Sequence, residues 1–380
     1  MGARRYGKER IGTEARDYSR ESLGKTKKLA IPGAAAAAMA RDPIPPLYNP
    51  YMASPKRALI VGVSGQDGAY LAKLLVEKGY EVVGTSRDAQ VTRFDNLARL
   101  GLESKVKLES MSPTDFRSVV EVLSKWMPDE VYNLSGQSSV ALSFKQPVDA
   151  LNSVLNATVT LLECIRFLGK PIRLYNAGSS ECFGDVAGGV ASESTPFHPR
   201  SPYAAAKAAA HWMVANYREG YGLHACTGVL FNHESPLRPE RFVTKKIAVG
   251  VARIAAGKQR KLSLGNMSIK RDWGWAPEYV EAMWRMLQQD SPVDLVIATG
   301  KLSTLEEFVA AAFATAGLDW REHVETDPAL KRPTDLQGFA GDARRAAQVL
   351  GWKPRTVMPD IARVMVEAEL TEPKKKTVKA

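Results

Sequence analysis

Residues 57–68 have the sequence Arg57-Ala-Leu-Ile-Val-Gly62-Val-Ser-Gly65-Gln-Asp-Gly68, and this stretch decides the fold. The first half is a short apolar run, which is typical of a buried parallel strand. Three glycines spaced as GxxGxxG follow, at the start of a helical pattern over about 67–79. In this setting the glycines permit a tight turn, a close backbone approach to a pyrophosphate, and close packing of helix on strand. The stretch predicts a dinucleotide site that includes Gly62, Gly65, Gln66, Asp67 and Gly68.

Strand-like and helix-like segments alternate from this point to about residue 231. The predicted strands cover 80–84, 106–109, 130–134, 172–176 and 223–231, and the helices between them include 113–127, 147–168 and 202–219. Such alternation predicts an α/β fold with a doubly wound parallel (Rossmann) sheet. Right-handed crossovers place the carboxyl ends of the strands along one edge, where we expect the ligand crevice.

The chain divides into four predicted regions. Residues 1–54 form a basic, Pro- and Ala-rich extension without apolar periodicity, which predicts disorder. The Rossmann domain is predicted over 55–234, and a smaller mixed α/β substrate lobe over 235–370, with some segments returning to the sheet. Helical patterns in this lobe cover about 241–256, 277–289, 304–317 and 357–370. Residues 371–380 are expected to be a frayed tail.

The basic charge of the chain lies mainly at its start. The formal net charge is +11, and residues 1–57 contribute +7 of it, with 12 Lys and Arg against 5 Asp and Glu. No basic stripe interleaved with aromatic residues follows in the body, so we expect no nucleic-acid partner. A cleft that binds phosphates would also account for a mildly basic body.

Composition argues for a cytoplasmic protein without a metal site. We expect no apolar run of the ~18 residues that a membrane span needs, and therefore no membrane partner. The three cysteines are isolated, at positions 164, 182 and 226, and the five histidines show no HExxH arrangement. A disulfide framework and a zinc site are therefore both disfavoured.

The end of the second predicted strand bears on the cofactor. An NAD-binding enzyme usually has an acidic residue there, which binds the ribose hydroxyls. This chain has Arg87 followed by Asp88. An arginine suits the 2′-phosphate of NADP, whereas a carboxylate would repel it, and we predict NADP over NAD.

Tyr203 and Lys207 lie four residues apart on a predicted helix and therefore share one face. Tyrosine titrates near pKa ~10, and a nearby ammonium favours the phenolate that could act as a base. Glu181 lies 22 residues upstream, in Ser179-Ser180-Glu181. Hydride transfer from an alcohol needs one base, so a second acid/base group indicates a further proton transfer.

Several stretches resemble the GDP-mannose 4,6-dehydratase family of extended short-chain dehydrogenases/reductases, over about residues 56–370. They are Gly65–Ala72, Ser179–Gly184, Pro199–Tyr203, Phe231–Pro236, Phe242–Thr244 and Lys270–Gly274. The resemblance implies an NADP-bound lyase that oxidises a GDP-hexose at C4, eliminates water across C5 and C6, and returns the hydride to C6. The Asn-His-Glu-Ser-Pro run at 232–236 is the most specific of these stretches.

Roles for individual residues follow from the resemblance. Tyr203 would take the O4 proton, Lys207 would bind the nicotinamide ribose, and Glu181 would remove the C5 proton. Ser179, where the family has threonine, would hydrogen-bond the C4 oxygen. Further cofactor contacts are implied for Leu134, Gln137, His233 and Arg238, and substrate contacts for Ser180, Asn232, Lys246, Arg271 and Arg332.

Alternatives remain open at the level of sequence. GDP-heptose 4,6-dehydratases share this framework, and a nucleotide-sugar epimerase or reductase would need Tyr203 and Lys207 but not Glu181. A dinucleotide-binding regulatory protein that uses the basic N-terminal segment is a non-enzymatic alternative. The resemblance also implies a homodimer or homotetramer that pairs through the helices at about 147–168 and 202–219.

Overall fold

A computed structural model describes residues 54–186, 189–330 and 338–371 of the chain. The predicted N-terminal extension and C-terminal tail lie almost entirely outside these residues, as does Arg332. From Ser54 onward the chain forms one compact unit. The division at residue 234 therefore stays a prediction.

The centre of the structure is a parallel β-sheet. Among the described residues it has seven strands, in the order β12-β7-β5-β4-β1-β2-β3. These strands are β1 (Arg57–Val61), β2 (Glu81–Ser86), β3 (Val106–Ser110), β4 (Glu130–Asn133), β5 (Arg173–Ala177), β7 (Ala225–Leu230) and β12 (Leu295–Ile297). The last comes from the predicted C-terminal lobe and pairs with β7. The doubly wound parallel fold is confirmed.

Short strands outside the sheet pair two by two. They are β6 (Val190–Ala191) with β15 (Ala340–Gly341), β8 (Asn232–Glu234) with β11 (Trp273–Trp275), β9 (Leu262–Leu264) with β14 (Val324–Thr326), and β10 (Lys270–Arg271) with β13 (Ser303–Thr304). The pairs connect the segment after β7 with the C-terminal third of the chain.

Helices cover both faces of the sheet and build the C-terminal lobe. They are α1 (Gln66–Glu77), α2 (Asp95–Arg99), α3 (Phe116–Trp126), α4 (Val140–Lys145), α5 (Pro147–Leu151), α6 (Ala157–Leu168), α7 (Pro202–Tyr221), α8 (Val243–Ala255), α9 (Ala276–Leu287), α10 (Leu305–Thr315), α11 (Trp320–His323), α12 (Arg344–Leu350) and α13 (Asp360–Thr371). The long helices lie within three residues of their predicted bounds, whereas α2, α4, α11 and α12 were not predicted.

Strand β1 is continuously apolar from Ala58 to Val61 because it is buried on both of its faces. Ala58 and Ile60 belong to the core layer that includes α1 and α9, whereas Leu59 and Val61 belong to the layer that includes α3 and α6. Side chains alternate between the two faces of a strand, so a strand covered on both faces has no face turned to solvent. A third cluster, formed by α8, α10 and α13, makes the core of the C-terminal lobe.

The strand order reverses between β1 and β4, which pair with each other. β1 continues to β2 and β3 on one side, whereas β4 continues to β5 and β7 on the other. The loops after β1 and β4 therefore diverge at their carboxyl ends and leave a crevice between them, where doubly wound proteins bind ligands.

The predicted helix 147–168 is interrupted. A π-helical turn over Asn152–Asn156 separates α5 from α6. By length and composition alone, Pro147–Leu168 is apolar enough to cross a membrane, which corrects the expectation that no segment of this chain would be. A core helix passes the same test, and 44% of the relevant window is buried inside the protein. Leu161, Leu162 and Ile165 of this stretch belong to the core against the sheet.

Candidate active site

The loop after β1 has the shape of a cradle for a phosphate group. Gly62 has a φ of +94°, and a Cβ there would lie 3.0 Å from the backbone oxygen of Leu134. A Cβ on Gly68 would lie 2.4 Å from the backbone oxygen of Gly62, so α1 packs directly on the loop. At Gly65 the nearest such atom would be 3.4 Å away. The N-terminus of α1 and its free N–H groups suit a pyrophosphate at this point.

The loop after β2 contains Arg87 and Asp88, the two residues that bear on the choice of cofactor. Both side chains are exposed. The Asp88 carboxylate accepts hydrogen bonds from the backbone N–H groups of Gln90 (2.9 Å) and Val91 (3.3 Å), so it closes its own turn. Because these hydrogen bonds hold the carboxylate in its own turn, the repulsion between Asp88 and a phosphate at Arg87 is smaller.

Leu134 and Gln137 follow β4 on the other side of the crevice. The backbone N–H of Leu134 donates to the Val61 oxygen at 3.0 Å and holds the two loops together. The Gln137 amide donates to the Ser139 oxygen at 2.9 Å and accepts from the Ser139 N–H. Its side chain therefore shapes its own loop, and its predicted cofactor contact stays a prediction.

Helix α7 carries Tyr203 and Lys207 into the crevice. The Ser201 hydroxyl accepts from the Ala204 N–H at 3.1 Å and begins the helix, with proline at its first position. Both functional side chains are buried, and the Lys207 ammonium lies 5.9 Å from the centre of the Tyr203 ring. The ammonium donates to the Ala177 oxygen at the end of β5, at 2.6 Å.

Burial dominates the electrostatics of this pair. It raises the pKa of Tyr203 well above the ordinary value of 10, and a hydrogen bond with Ser179 opposes this effect. Burial also lowers the pKa of Lys207 to about 8, against the attraction of Asp67. The expected lowering of the Tyr203 pKa is therefore not a property of the protein alone. A positive charge from the ligand would have to supply it.

Ser179, Ser180 and Glu181 form a tight turn directly after β5. The Ser179 hydroxyl accepts from the Glu181 N–H at 3.3 Å and begins a short 3-10 helix over Ser180–Phe183. This turn leaves the Glu181 carboxylate half-buried at the edge of the sheet where α7 begins. The structure thus brings the predicted base next to the Ser179–Tyr203 pair.

Glu181 and Ser180 share a small cavity with two predicted substrate residues. Asn232 on β8 and Arg271 on β10 line the same space, together with Phe231, Asp272, Gly338 and Phe339. A carboxylate, an amide and a guanidinium thus meet at one site. Lys246, a third predicted substrate residue, is not among the described residues that line this cavity. Its ammonium donates to the backbone oxygen of Ser263 on β9 at 2.7 Å, and its substrate contact stays a prediction.

His233 belongs to the Asn232–Pro236 stretch after β7, and Arg238 follows two residues after that stretch. His233 is buried, and its Nε2 lies 2.9 Å from the Asp67 carboxylate at the start of α1. Arg238 lies 3.1 Å from Glu234, and its guanidinium stacks 3.8 Å above the Phe242 ring. The buried Nε of Arg238 is the atom that lies 3.1 Å from Glu234, as an ion pair whose angle is poor for a hydrogen bond.

The cavity is also lined by three residues that were not predicted as site residues, which are Asp272, Phe231 and Phe339. The Asp272 carboxylate is 1% exposed and accepts from Thr299, Gly300 and Gly341, which ties the segment after β12 to β15. Its place in the Lys270–Gly274 stretch was a usable signal, but Phe339 had none. Among the described residues no cluster of His, Cys, Asp and Glu could hold a metal ion.

Comparisons with known proteins identify the family of this chain. The family model for GDP-mannose 4,6 dehydratase matches residues 59–365. GDP-mannose 4,6 dehydratase 1 of Arabidopsis thaliana is 46% identical over 335 residues, which are 86% of this chain and 92% of that protein. The human GDP-mannose 4,6 dehydratase is 41% identical, over 82% of this chain and 91% of that protein.

Solved structures show the same fold with nicotinamide cofactors. RMD from Pseudomonas aeruginosa, complexed with NADPH, has a TM-score of 0.69 at 21% identity, over 83% of this chain and 98% of that one. The dTDP-glucose 4,6-dehydratase of Bacillus anthracis, in complex with NAD, has a TM-score of 0.71 at 18% identity, over 82% and 96%. With the family model covering most of its length, the chain belongs to the GDP-mannose 4,6-dehydratase family.

Proposed function

We propose that this protein is an NADP-dependent lyase that converts GDP-mannose to GDP-4-dehydro-6-deoxy-mannose. The observation that carries the proposal is the shared cavity of Glu181, Asn232 and Arg271 beside the Ser179–Tyr203 pair. A dehydrogenase or epimerase has no use for a carboxylate at this place. The relatives named GDP-mannose 4,6-dehydratase support the choice of sugar.

The cofactor site fits a nicotinamide dinucleotide. The glycine cradle and the α1 N-terminus would hold the pyrophosphate, Arg87 would meet the 2′-phosphate, and Lys207 would hold the nicotinamide ribose. When bound, the nicotinamide would accept a hydride from C4 of the sugar and later return it to C6. The cofactor is thereby regenerated in every cycle, so no external reductant is needed.

Tyr203 and Ser179 serve the first proton transfer. The Ser179 hydroxyl can hydrogen-bond the sugar O4, and the Tyr203 phenolate can take its proton as C4 is oxidised. Because burial raises the pKa of Tyr203, the phenolate needs cationic neighbours. Arg238 supplies one of them, and the positive charge of a bound oxidised nicotinamide would supply another.

Glu181 serves the elimination. A ketone at C4 makes the C5 proton acidic, because the carbanion left behind is an enolate. The Glu181 carboxylate can remove this proton and then pass it to the C6 hydroxyl, which leaves as water. When the hydride is returned to C6, C5 takes up a proton, and the proton that Tyr203 removed from O4 supplies the balance. Arg271 in the same cavity suits the diphosphate of the substrate, since its planar fork can contact two oxygens.

Incubation of the purified protein with GDP-mannose tests the proposal. We expect a product that has lost one water, with a C4 ketone and a C6 methyl group by NMR, formed without added reductant. Parallel reactions with a GDP-heptose and with GDP-mannose plus NADPH test the alternatives. Dehydration of the heptose alone would overturn the substrate, and a C4-epimerised or reduced sugar would overturn the reaction.

Binding titrations test the preference for NADP. Arg87→Ala should weaken NADP⁺ binding by about tenfold or more while it leaves NAD⁺ binding nearly unchanged, because one charge-assisted contact to the phosphate is lost. Arg93→Ala is the matched control, since Arg93 is also exposed in this loop but pairs with Asp95 at 3.4 Å. Equal effects of Arg87→Ala on both cofactors would contradict the assignment.

We also infer that the protein forms a homodimer through α5, α6 and α7. These helices expose large apolar side chains, among them Val148 (67% exposed), Phe167 (67%) and Trp212 (63%). Exposed apolar side chains on adjacent helices are typical of an interface. Analytical ultracentrifugation should show a dimer that Phe167→Glu converts to monomer, whereas a monomeric wild-type protein would contradict the inference.

A further inference from the structure

His233 lies between two groups that can only accept hydrogen bonds. Its Nδ1 is 2.7 Å from the backbone oxygen of Phe231, and its Nε2 is 2.9 Å from the Asp67 carboxylate. The side chain is 9% exposed, so water has little access to either nitrogen. The imidazole ring also stacks on Tyr279, with ring centres 4.6 Å apart and planes at 25°.

These contacts determine the protonation state of the ring. A neutral imidazole has one N–H and could satisfy only one of the two acceptors. An ionised Asp67 therefore requires a proton on both nitrogens. A protonated Asp67 that donates from Oδ2 to a neutral ring is the alternative, and its Oδ1 could still accept from the Gln66 amide at 3.0 Å, so the NMR measurement below distinguishes the two states. The first turn of a helix also favours a negative charge at this position.

The pKa shifts of both partners are those of an ion pair, because the pKa of Asp67 is lowered and that of His233 is raised. Burial opposes ionisation of Asp67, but attraction to His233 and hydrogen bonds from His233 and Gln66 outweigh it and lower the pKa of Asp67 to about 2. Burial likewise opposes protonation of His233, and the Asp67 carboxylate raises the pKa of the imidazole above its ordinary value.

Other charged groups surround the pair. Arg238 acts on both members, and it faces Glu234 at 3.1 Å. The Asp67 carboxylate is also close enough to Lys207 to raise the pKa of that ammonium. Asp67 therefore carries its charge inside the cofactor end of the site, at the helix N-terminus where a pyrophosphate would lie. Without a partner, this charge would repel the phosphates.

A second contact ties the same two segments together. The Gln66 amide donates to the backbone oxygen of His233 at 3.1 Å and accepts from the Ser235 hydroxyl at 2.7 Å. Strand β8, which contains His233, begins with Asn232 of the substrate cavity. The loop that would hold the cofactor and the strand that lines the substrate cavity are thus connected through adjacent side chains.

We propose that His233 is a positioning residue that stays doubly protonated, neutralises Asp67 beside the pyrophosphate, and joins the glycine loop to the substrate strand. The proposal rests on a nicotinamide dinucleotide in the crevice, which is part of the proposed function, but it does not depend on the sugar. Loss of His233 should therefore act on cofactor binding through the uncompensated charge of Asp67.

NMR of the wild-type protein tests the protonation state directly. With ¹⁵N-labelled histidine, the buried ring should show two protonated nitrogens at pH 7, without any variant. His233→Asn identifies its signals by their disappearance. A single protonated nitrogen on this ring at pH 7 would overturn the proposal.

A double-mutant cycle tests the role in binding. His233→Asn should weaken NADP⁺ binding by about tenfold or more, because the Asp67 charge remains without its partner. Asp67→Asn in the same chain should restore most of the affinity, since it removes that charge. His198→Asn, at an exposed histidine, is the control.

The outcomes separate a charge effect from a packing effect. Recovery in the double variant supports the proposal, whereas binding that stays as weak or becomes weaker overturns it. Neither measurement uses a sugar substrate. A failure here would therefore leave the test with GDP-mannose unaffected, and a failure of that test would leave these readouts interpretable.

Discussion

Replacement of Glu181 by glutamine separates the two halves of the proposed reaction. The amide has nearly the shape of the carboxylate but cannot accept the C5 proton at neutral pH. The hydrogen bond that fixes this turn uses the backbone N–H of Glu181 and the Ser179 hydroxyl, so it survives the substitution. We therefore expect a folded variant that binds GDP-mannose and can still oxidise C4.

The size of the effect follows from the position of Glu181. Two carboxylates line the described part of the cavity, and four donors from two segments already occupy the one of Asp272, which leaves Glu181 as the available base. No neighbouring base can then replace it. General base catalysis contributes about 10²–10⁴-fold, which corresponds to about 3–5 kcal/mol of barrier. Formation of the dehydrated product should fall by this factor.

Two assays measure the two steps separately. Mass spectrometry of the product follows elimination, and absorbance of the reduced nicotinamide in a single turnover follows C4 oxidation. In Glu181→Gln the first signal should fall while the second persists. Asp185→Asn, at an exposed carboxylate in the same loop, should leave both unchanged. Dehydration within tenfold of the wild-type rate would refute the assignment of Glu181 as the base.

Three further substitutions test the structure around the site. Gly68→Ala should lower the free energy of unfolding by about 1–3 kcal/mol in urea, because its Cβ would lie 2.4 Å from a backbone oxygen, whereas Gly220→Ala meets no atom within 4 Å and should not. Lys207→Met should abolish turnover yet raise the melting temperature at pH 7, because burial disfavours the ammonium in the folded state. This gain in melting temperature should shrink as the pH rises from about 8 towards 10.5, because the folded wild-type protein then holds a neutral Lys207. Asp272→Asn leaves only one strong acceptor oxygen for four donors and should cost about 2–4 kcal/mol in thermal unfolding.

Much of the fold could be predicted from local pattern. Apolar runs of strand length and helical periodicity in between suffice for a parallel sheet, because few other arrangements bury both kinds of segment. Helix 147–168 was predicted as continuous, since apolar spacing does not reveal the π-helical turn over Asn152–Asn156. Strands of two or three residues, such as β6 and β15, carry too little pattern to be predicted.

Part of the candidate site was also visible in the sequence. Tyr203 and Lys207 share a helix face, and the turn from Ser179 to Glu181 follows a strand end, but the family resemblance was needed to assign their roles. Lys246 was selected by family position, but its ammonium donates to Ser263. The direction of a long side chain depends on its neighbours in space, and the sequence carries no local signal for it.

The sequence by itself determined the nucleotide-binding fold and the family, because the glycine spacing, the strand–helix alternation and the Asn232–Pro236 stretch are local properties of the chain. Tertiary structure alone decided which residues meet. Asn232, Arg271 and Phe339 reach Glu181 only because β8 pairs with β11 and β6 with β15. The charge state of His233 depends likewise on Asp67, 166 residues away. Hydrogen bonds and charges act through space over a few ångströms, so their partners become known only when the chain is folded.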